Sequence, residues 1–116
     1  MQSLHHNLPV INGVDQLAGG DYAAQDVSAH VGDKLARLQL DIAAICAPEA
    51  DVAHWTRIVS LERGSQPARV VLEDAYEFQK TPRNLALHLM ISGTVDTSRV
   101  VVLRYASYVK TTALDV

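Results

Sequence analysis

The feature that most constrains this chain is a pair of alternating runs joined by a polar turn. From His54 to Arg63, Trp55, Arg57, Val59, Leu61 and Arg63 share one parity, and Thr56, Ile58, Ser60 and Glu62 the other. Gly64-Ser65-Gln66-Pro67 interrupts the run. From Ala68 to Phe78 the pattern resumes, with Val70, Leu72, Asp74 and Tyr76 set against Val71, Glu73, Ala75 and Glu77. Side chains of a strand alternate between its two faces, so two period-two runs around turn residues specify a β-hairpin. The neighbourhood is consistent with this. Leu85, Leu87, Leu89 and Ile91 alternate with Ala86, His88, Met90 and Ser92 after a turn at Thr81-Pro82-Arg83-Asn84, and Val100 to Leu103 is a β-branched run continued by Tyr105. Leu8 to Asn12 is short and apolar, and Asn12-Gly13 is a strong turn dipeptide. A strand is expected between Asp21 and His30, closed by Val31-Gly32-Asp33. Residues 33 to 46 fit two periods. Leu35, Leu38, Ile42 and Ile45 recur at helical spacing, while Ala36, Leu38, Leu40 and Ile42 alternate with Arg37, Gln39 and Asp41 at strand spacing. The expected fold is all-β, an antiparallel β-sandwich or part of one.

Composition narrows the class. With 48% hydrophobic residues and a net charge of −3, the 116-residue chain is neither intrinsically disordered nor built as a general nucleic-acid surface. No stretch approaches about 18 uninterrupted apolar residues, so no transmembrane helix is expected. The opening Met1-Gln2-Ser3-Leu4-His5-His6 lacks the basic and apolar regions of a signal peptide. The expected partners therefore include neither nucleic acid nor membrane. One cysteine, Cys46, excludes an intramolecular disulfide, and its apolar neighbours point to an inert, buried thiol. The chain lacks a P-loop, a dinucleotide glycine fingerprint, a zincin motif and a nucleophile elbow.

Several stretches together resemble the heparinase II/III-like polysaccharide lyases. His6-Asn7-Leu8-Pro9-Val10-Ile11-Asn12-Gly13, followed by Gln16, Gly19 and Tyr22-Ala23-Ala24, is similar to a family segment in which a histidine-asparagine pair opens a strand ending in Asn-Gly or Asp-Gly. Leu40-Asp41-Ile42-Ala43-Ala44, Trp55-Thr56-Arg57-Ile58-Val59, Leu61-Glu62-Arg63 and Val71-Leu72-Glu73-Asp74 resemble its consecutive sandwich strands in order. The resemblance covers about residues 5 to 80 and favours strand over helix for residues 35 to 46. It implies that residues 1–116 form a single β-sandwich domain or a fragment of one, without the family's N-terminal α-toroid and without its upstream histidine-rich strand.

The resemblance also implies a chemistry. The family cleaves acidic, uronate-containing glycans, among them heparan sulfate and alginate, by β-elimination. A base removes the C5 proton, an acid protonates the leaving glycosidic oxygen, and the neighbouring carboxylate must be neutralised. The His6 position resembles a zinc ligand of the sandwich, and neutral imidazole suits zinc, set against a His5-His6 pair simply exposed near a terminus. Its implied partners lie upstream, so no cofactor is expected to bind this chain tightly by itself. Asn7 and Gln16 are candidates for sugar contacts, set against the ordinary use of such residues in satisfying turn backbone. Arg57, with Arg63 on the same parity, could hold a uronate carboxylate, set against a cross-strand pair with Glu73 or Asp74. Tyr22 is a candidate catalytic phenol, set against a half-buried strand tyrosine. His54 and Trp55 could offer a sugar platform, set against Trp55 in the core. His88, off the leucine parity, is expected to be exposed. The family resemblance implies a periplasmic or secreted setting. The functional expectation is a lyase sandwich that is inactive alone. The alternative is a non-catalytic carbohydrate-binding or assembly module. Unpaired strand edges would make a homo-oligomer the expected form of an incomplete sandwich.

Overall fold

The computed structural model describes residues 7–88. Among them are six strands: β1 (Pro9–Ile11), β2 (Gln25–Val31), β3 (Leu35–Asp41), β4 (Val52–Glu62), β5 (Arg69–Phe78) and β6 (Leu85–Leu87). They form two antiparallel sheets. One is a four-stranded meander in the order β2-β3-β4-β5, and the other pairs β1 with β6. The all-β, sandwich-like expectation holds. The β4–β5 hairpin lies where the alternating runs placed it, with Trp55 opposite Tyr76, Arg57 opposite Asp74 and Leu61 opposite Val70. Leu89 to Ile91 and Val100 to Tyr105 lie outside the described residues, as does His6.

The two-period segment resolves as strand only as far as Asp41. Beyond it, Ala43–Ile45 forms a 3-10 turn, so the strand expected through residue 46 ends five residues early. The Asp41 side chain explains the change of direction. Its Oδ1 accepts a hydrogen bond from the Ala43 backbone N–H at 2.7 Å, an Asx-type closure that replaces the next ladder bond. A second 3-10 turn, Pro48–Ala50, follows, with Asp51 in the left-handed region (φ 52°) at its end.

The Asn12-Gly13 dipeptide behaves as its composition demands. Both residues have positive φ, 54° and 71°, and Val14 N–H bonds the Ile11 carbonyl at 2.9 Å. Two consecutive positive φ values define a tight turn that β-branched residues resist. The Asn12 side chain then joins distant chain. Its Oδ1 accepts from the backbone N–H of Arg83 (2.8 Å) and Asn84 (3.3 Å), while the Asn12 backbone N–H donates to the Asn84 carbonyl (2.9 Å).

Register and alternation place Val31, Ala36, Leu61 and Val70 in one row of the meander, and Ala29, Leu38, Val59 and Leu72 in the next. Leu40, Arg57 and Asp74, then Trp55 and Tyr76, continue the same face. Among the described residues, the β1–β6 layer and the two 3-10 turns cover the Trp55 end. There Ile11, Ile42, Ile45, Ala50, Trp55 and Tyr76 form the core, with Leu8, Leu40, Phe78, Leu85 and Leu87 against it. At the other end Leu38, Leu61 and Val70 remain exposed.

Candidate functional site

The core contains an acid and a base. Arg57 and Asp74 are directly opposed on β4 and β5, and both are buried, with Asp74 only 1% exposed. Arg57 Nε donates to Asp74 Oδ1 and Nη2 to Oδ2, each at 2.7 Å. Trp55 Nε1 donates to the same Oδ1 at 3.0 Å. The remaining arm of the guanidinium, Nη1, donates to the Asn7 carbonyl. Burying a charge is costly unless it is paired and its remaining hydrogen-bonding capacity is met. Both conditions are satisfied here. An aromatic wall backs the pair: Trp55 stacks on Tyr76 with centroids 4.6 Å apart, and Phe78 meets both rings edge-on.

This arrangement gives Arg57 the cross-strand partner weighed from the sequence, Asp74. The fork that would clasp a uronate carboxylate faces protein acceptors. Trp55 is fully buried, so it presents no face to a sugar ring, while His54 beside it is exposed. The core reading of Trp55 replaces the platform reading. Arg63 lies at the surface and reaches the Gly32 and Asp33 carbonyls at 3.3 and 3.4 Å, clamping the β2–β3 turn.

Beside β1 lies a small pocket with room for little more than a water molecule, and its wall includes Leu8, Ile11, Asp15, Gln16, Cys46 and Ala50. Gln16 is half-buried there. Asp15 Oδ1 is buried and has no hydrogen-bond partner among the described residues, and Asp15 is part of the pocket wall. Cys46 donates weakly to the Ile42 carbonyl at 3.8 Å. Burial, and secondarily the nearby Asp41 carboxylate, push its thiol up to about 11. The inert-thiol expectation fits that environment.

The other candidates lie apart from this pocket. Asn7 is exposed, and its carbonyl joins Arg57. Tyr22 is half-buried but precedes β2, so it is not the strand tyrosine expected. Its N–H bonds the Gly19 carbonyl at 3.1 Å and its ring lies over Gly19, whose φ of 141° a side chain would resist. His88 is half-buried instead of exposed. The structure thus brings Asn7 and Arg57 together and leaves Gln16 and Tyr22 in separate places. Among the described residues no group of three or more His, Cys, Asp or Glu side chains could hold a metal ion, so no zinc ligand set can be drawn from them.

Sequence reasoning missed Asp15 as a pocket residue. It also weighed Asp74 only as a partner for arginine. The signal for Asp74 was present: an acid on the apolar parity of β5 lies at the position that meets a base on the apolar parity of β4. Comparison with protein-family models and with curated proteins found no match to this chain.

Proposed function

We propose that this chain is the β-sandwich portion of a heparinase II/III-like lyase acting on uronate-containing polysaccharides, with little or no activity by itself. One observation supports the reading. Three of the stretches that carry the resemblance meet at a single point: the carbonyl of Asn7 accepts from Arg57 of the Trp55–Val59 stretch, which is paired with Asp74 of the Val71–Asp74 stretch. In this reading the sandwich positions groups for a cleft whose base and acid come mainly from the toroid. Arg57 anchors the backbone one residue from His6, the zinc ligand that the resemblance implies for the whole lyase.

The experiment has two parts. Incubated with heparin, heparan sulfate or alginate, the chain is expected to produce no ultraviolet-absorbing unsaturated uronate. Product formation that is lost on Tyr22→Phe would place a complete site within this chain and refute the inactive-alone reading. The coding sequence upstream of Met1 is expected to encode a helical toroid and a histidine-rich strand. A frame encoding neither would overturn the lyase reading. A second reading, a non-catalytic carbohydrate-binding or assembly module, is favoured by the apolar end of the meander that the β1–β6 layer leaves uncovered. Retention by immobilised heparin without cleavage, from a chain with no upstream toroid, would select it.

A further inference from the structure

Strand β2 is an edge of the four-stranded sheet among the described residues, and all seven of its residues are exposed. Val27 and Val31 are 60% and 78% exposed. Natural edge strands are usually protected by lysine, proline, a bulge or brevity. β2 contains no Lys, Arg or Pro, and its bulge, with Asp26 at φ 48°, falls between Gln25 and Ser28, leaving Ser28 to Val31 regular. The phase of its ladder is fixed at the hairpin end, where Gly32 N–H donates to the Leu35 carbonyl at 2.8 Å. Antiparallel ladders alternate, so Ser28 and His30 also address β3, while Ala29 and Val31 direct their N–H and C=O groups to the open edge.

We propose that a second copy of this chain pairs antiparallel with β2 about a two-fold axis through Ala29. A two-fold contact must be self-complementary, and this register is. Ala29 faces Ala29 of the second copy, Val31 faces Val27, and His30 faces Ser28. Apolar side chains meet on the face that carries Leu38 and Leu61, and polar ones meet on the other. Asp26 lies in the bulge (φ 48°) and Gly32 lies past the end of the strand, so the pairing ends at Val27 and Val31 and brings no like charges opposite each other. The pairing makes one eight-stranded sheet in which the two uncovered apolar ends become continuous. It rests on the edge alone and is independent of the lyase reading.

Sedimentation of the full chain over a concentration series is expected to show a reversible monomer–dimer equilibrium. Ala29→Pro removes an N–H that β3 does not use and should weaken dimerisation about tenfold to a hundredfold, with the far-ultraviolet spectrum unchanged. Val27→Lys and Val31→Glu should each weaken it singly and restore it together, because the register places each lysine opposite a glutamate. This charge series decides the matter if the proline variant does not fold. A wild-type chain that stays monomeric throughout, a dimer indifferent to Ala29→Pro, or a double variant that fails to recover association would each overturn the proposal.

Discussion

Replacing Asp74 by alanine removes the carboxylate bonded to the buried Arg57 guanidinium and, in the same step, the acceptor of the Trp55 indole N–H. Both losses are larger than their surface equivalents because Arg57 and Asp74 are 7% and 1% exposed. Removing one partner of a buried ion pair costs about 3–5 kcal/mol. An orphaned buried donor adds about 1–3 kcal/mol, reduced where water enters the space left by the carboxylate. The expected loss is therefore about 4–6 kcal/mol, against a total of about 5–15 kcal/mol for a domain. The paired replacement Arg57→Met with Asp74→Leu removes both charges and keeps the volume. It should cost only about 1–3 kcal/mol, mainly for the unpaired Trp55 N–H and Asn7 carbonyl. Urea unfolding followed by tryptophan fluorescence suits the measurement, since Trp55 is the single tryptophan and touches the perturbed group. If Asp74→Ala does not fold, Asp74→Asn keeps the shape and an acceptor and should lose about 2–3 kcal/mol. A single variant that loses less than about 1 kcal/mol, or a double variant as costly as the single, would refute the reasoning from uncompensated burial.

Three further outcomes are expected. Asn12→Ala loses both Oδ1 bonds to the Arg83–Asn84 backbone and forces alanine into positive φ, so it should lower stability by about 1–3 kcal/mol. Asn12→Gly keeps the turn and should lose less; chemical denaturation of both variants checks the order. The Cys46 thiol, raised to about 11, should alkylate more slowly than an unfolded control near pH 8. Because the folded value is the higher one, its contribution to stability is complete below the ordinary thiol range and is lost as pH rises through about 11. Melting the chain and a Cys46→Ala variant between pH 8 and 11 should show the difference.

The hairpin was legible because turn chemistry and period agree from His54 to Phe78. β3 was not, because Leu38 and Ile42 satisfy a helix and a strand equally. Tertiary pairing decides: Leu35 to Asp41 is bonded on both sides, to β2 and β4. The helical spacing of Ile42 and Ile45 survives as a 3-10 turn that drives both into the core. For the candidate site, the Arg57–Asp74 pairing could be anticipated from register. The role of the Asn7 backbone could not, because it depends on how two sheets meet, which no local pattern encodes. Asp15 and Gln16 gave no sign of sharing a pocket with Cys46, since that pocket is assembled from chain segments about thirty residues apart.

The pairing of β1 with β6 has a kinetic consequence. The meander grows by adjacent hairpins, each closing a short loop. The β1–β6 layer is tied down by bonds spanning 50 residues at Asn7–Arg57 and 71 at Asn12–Arg83. Closing a loop roughly ten times longer than a hairpin's costs about 2 kcal/mol more in chain entropy. Contacts of that separation form late. The buried Arg57 and Asp74 should thus assemble while one face of the sheet is still open to water, and dehydrate only when β1 arrives. Substitutions in β1 should then accelerate unfolding and leave the refolding rate nearly unchanged, whereas substitutions in the β4–β5 turn should slow refolding.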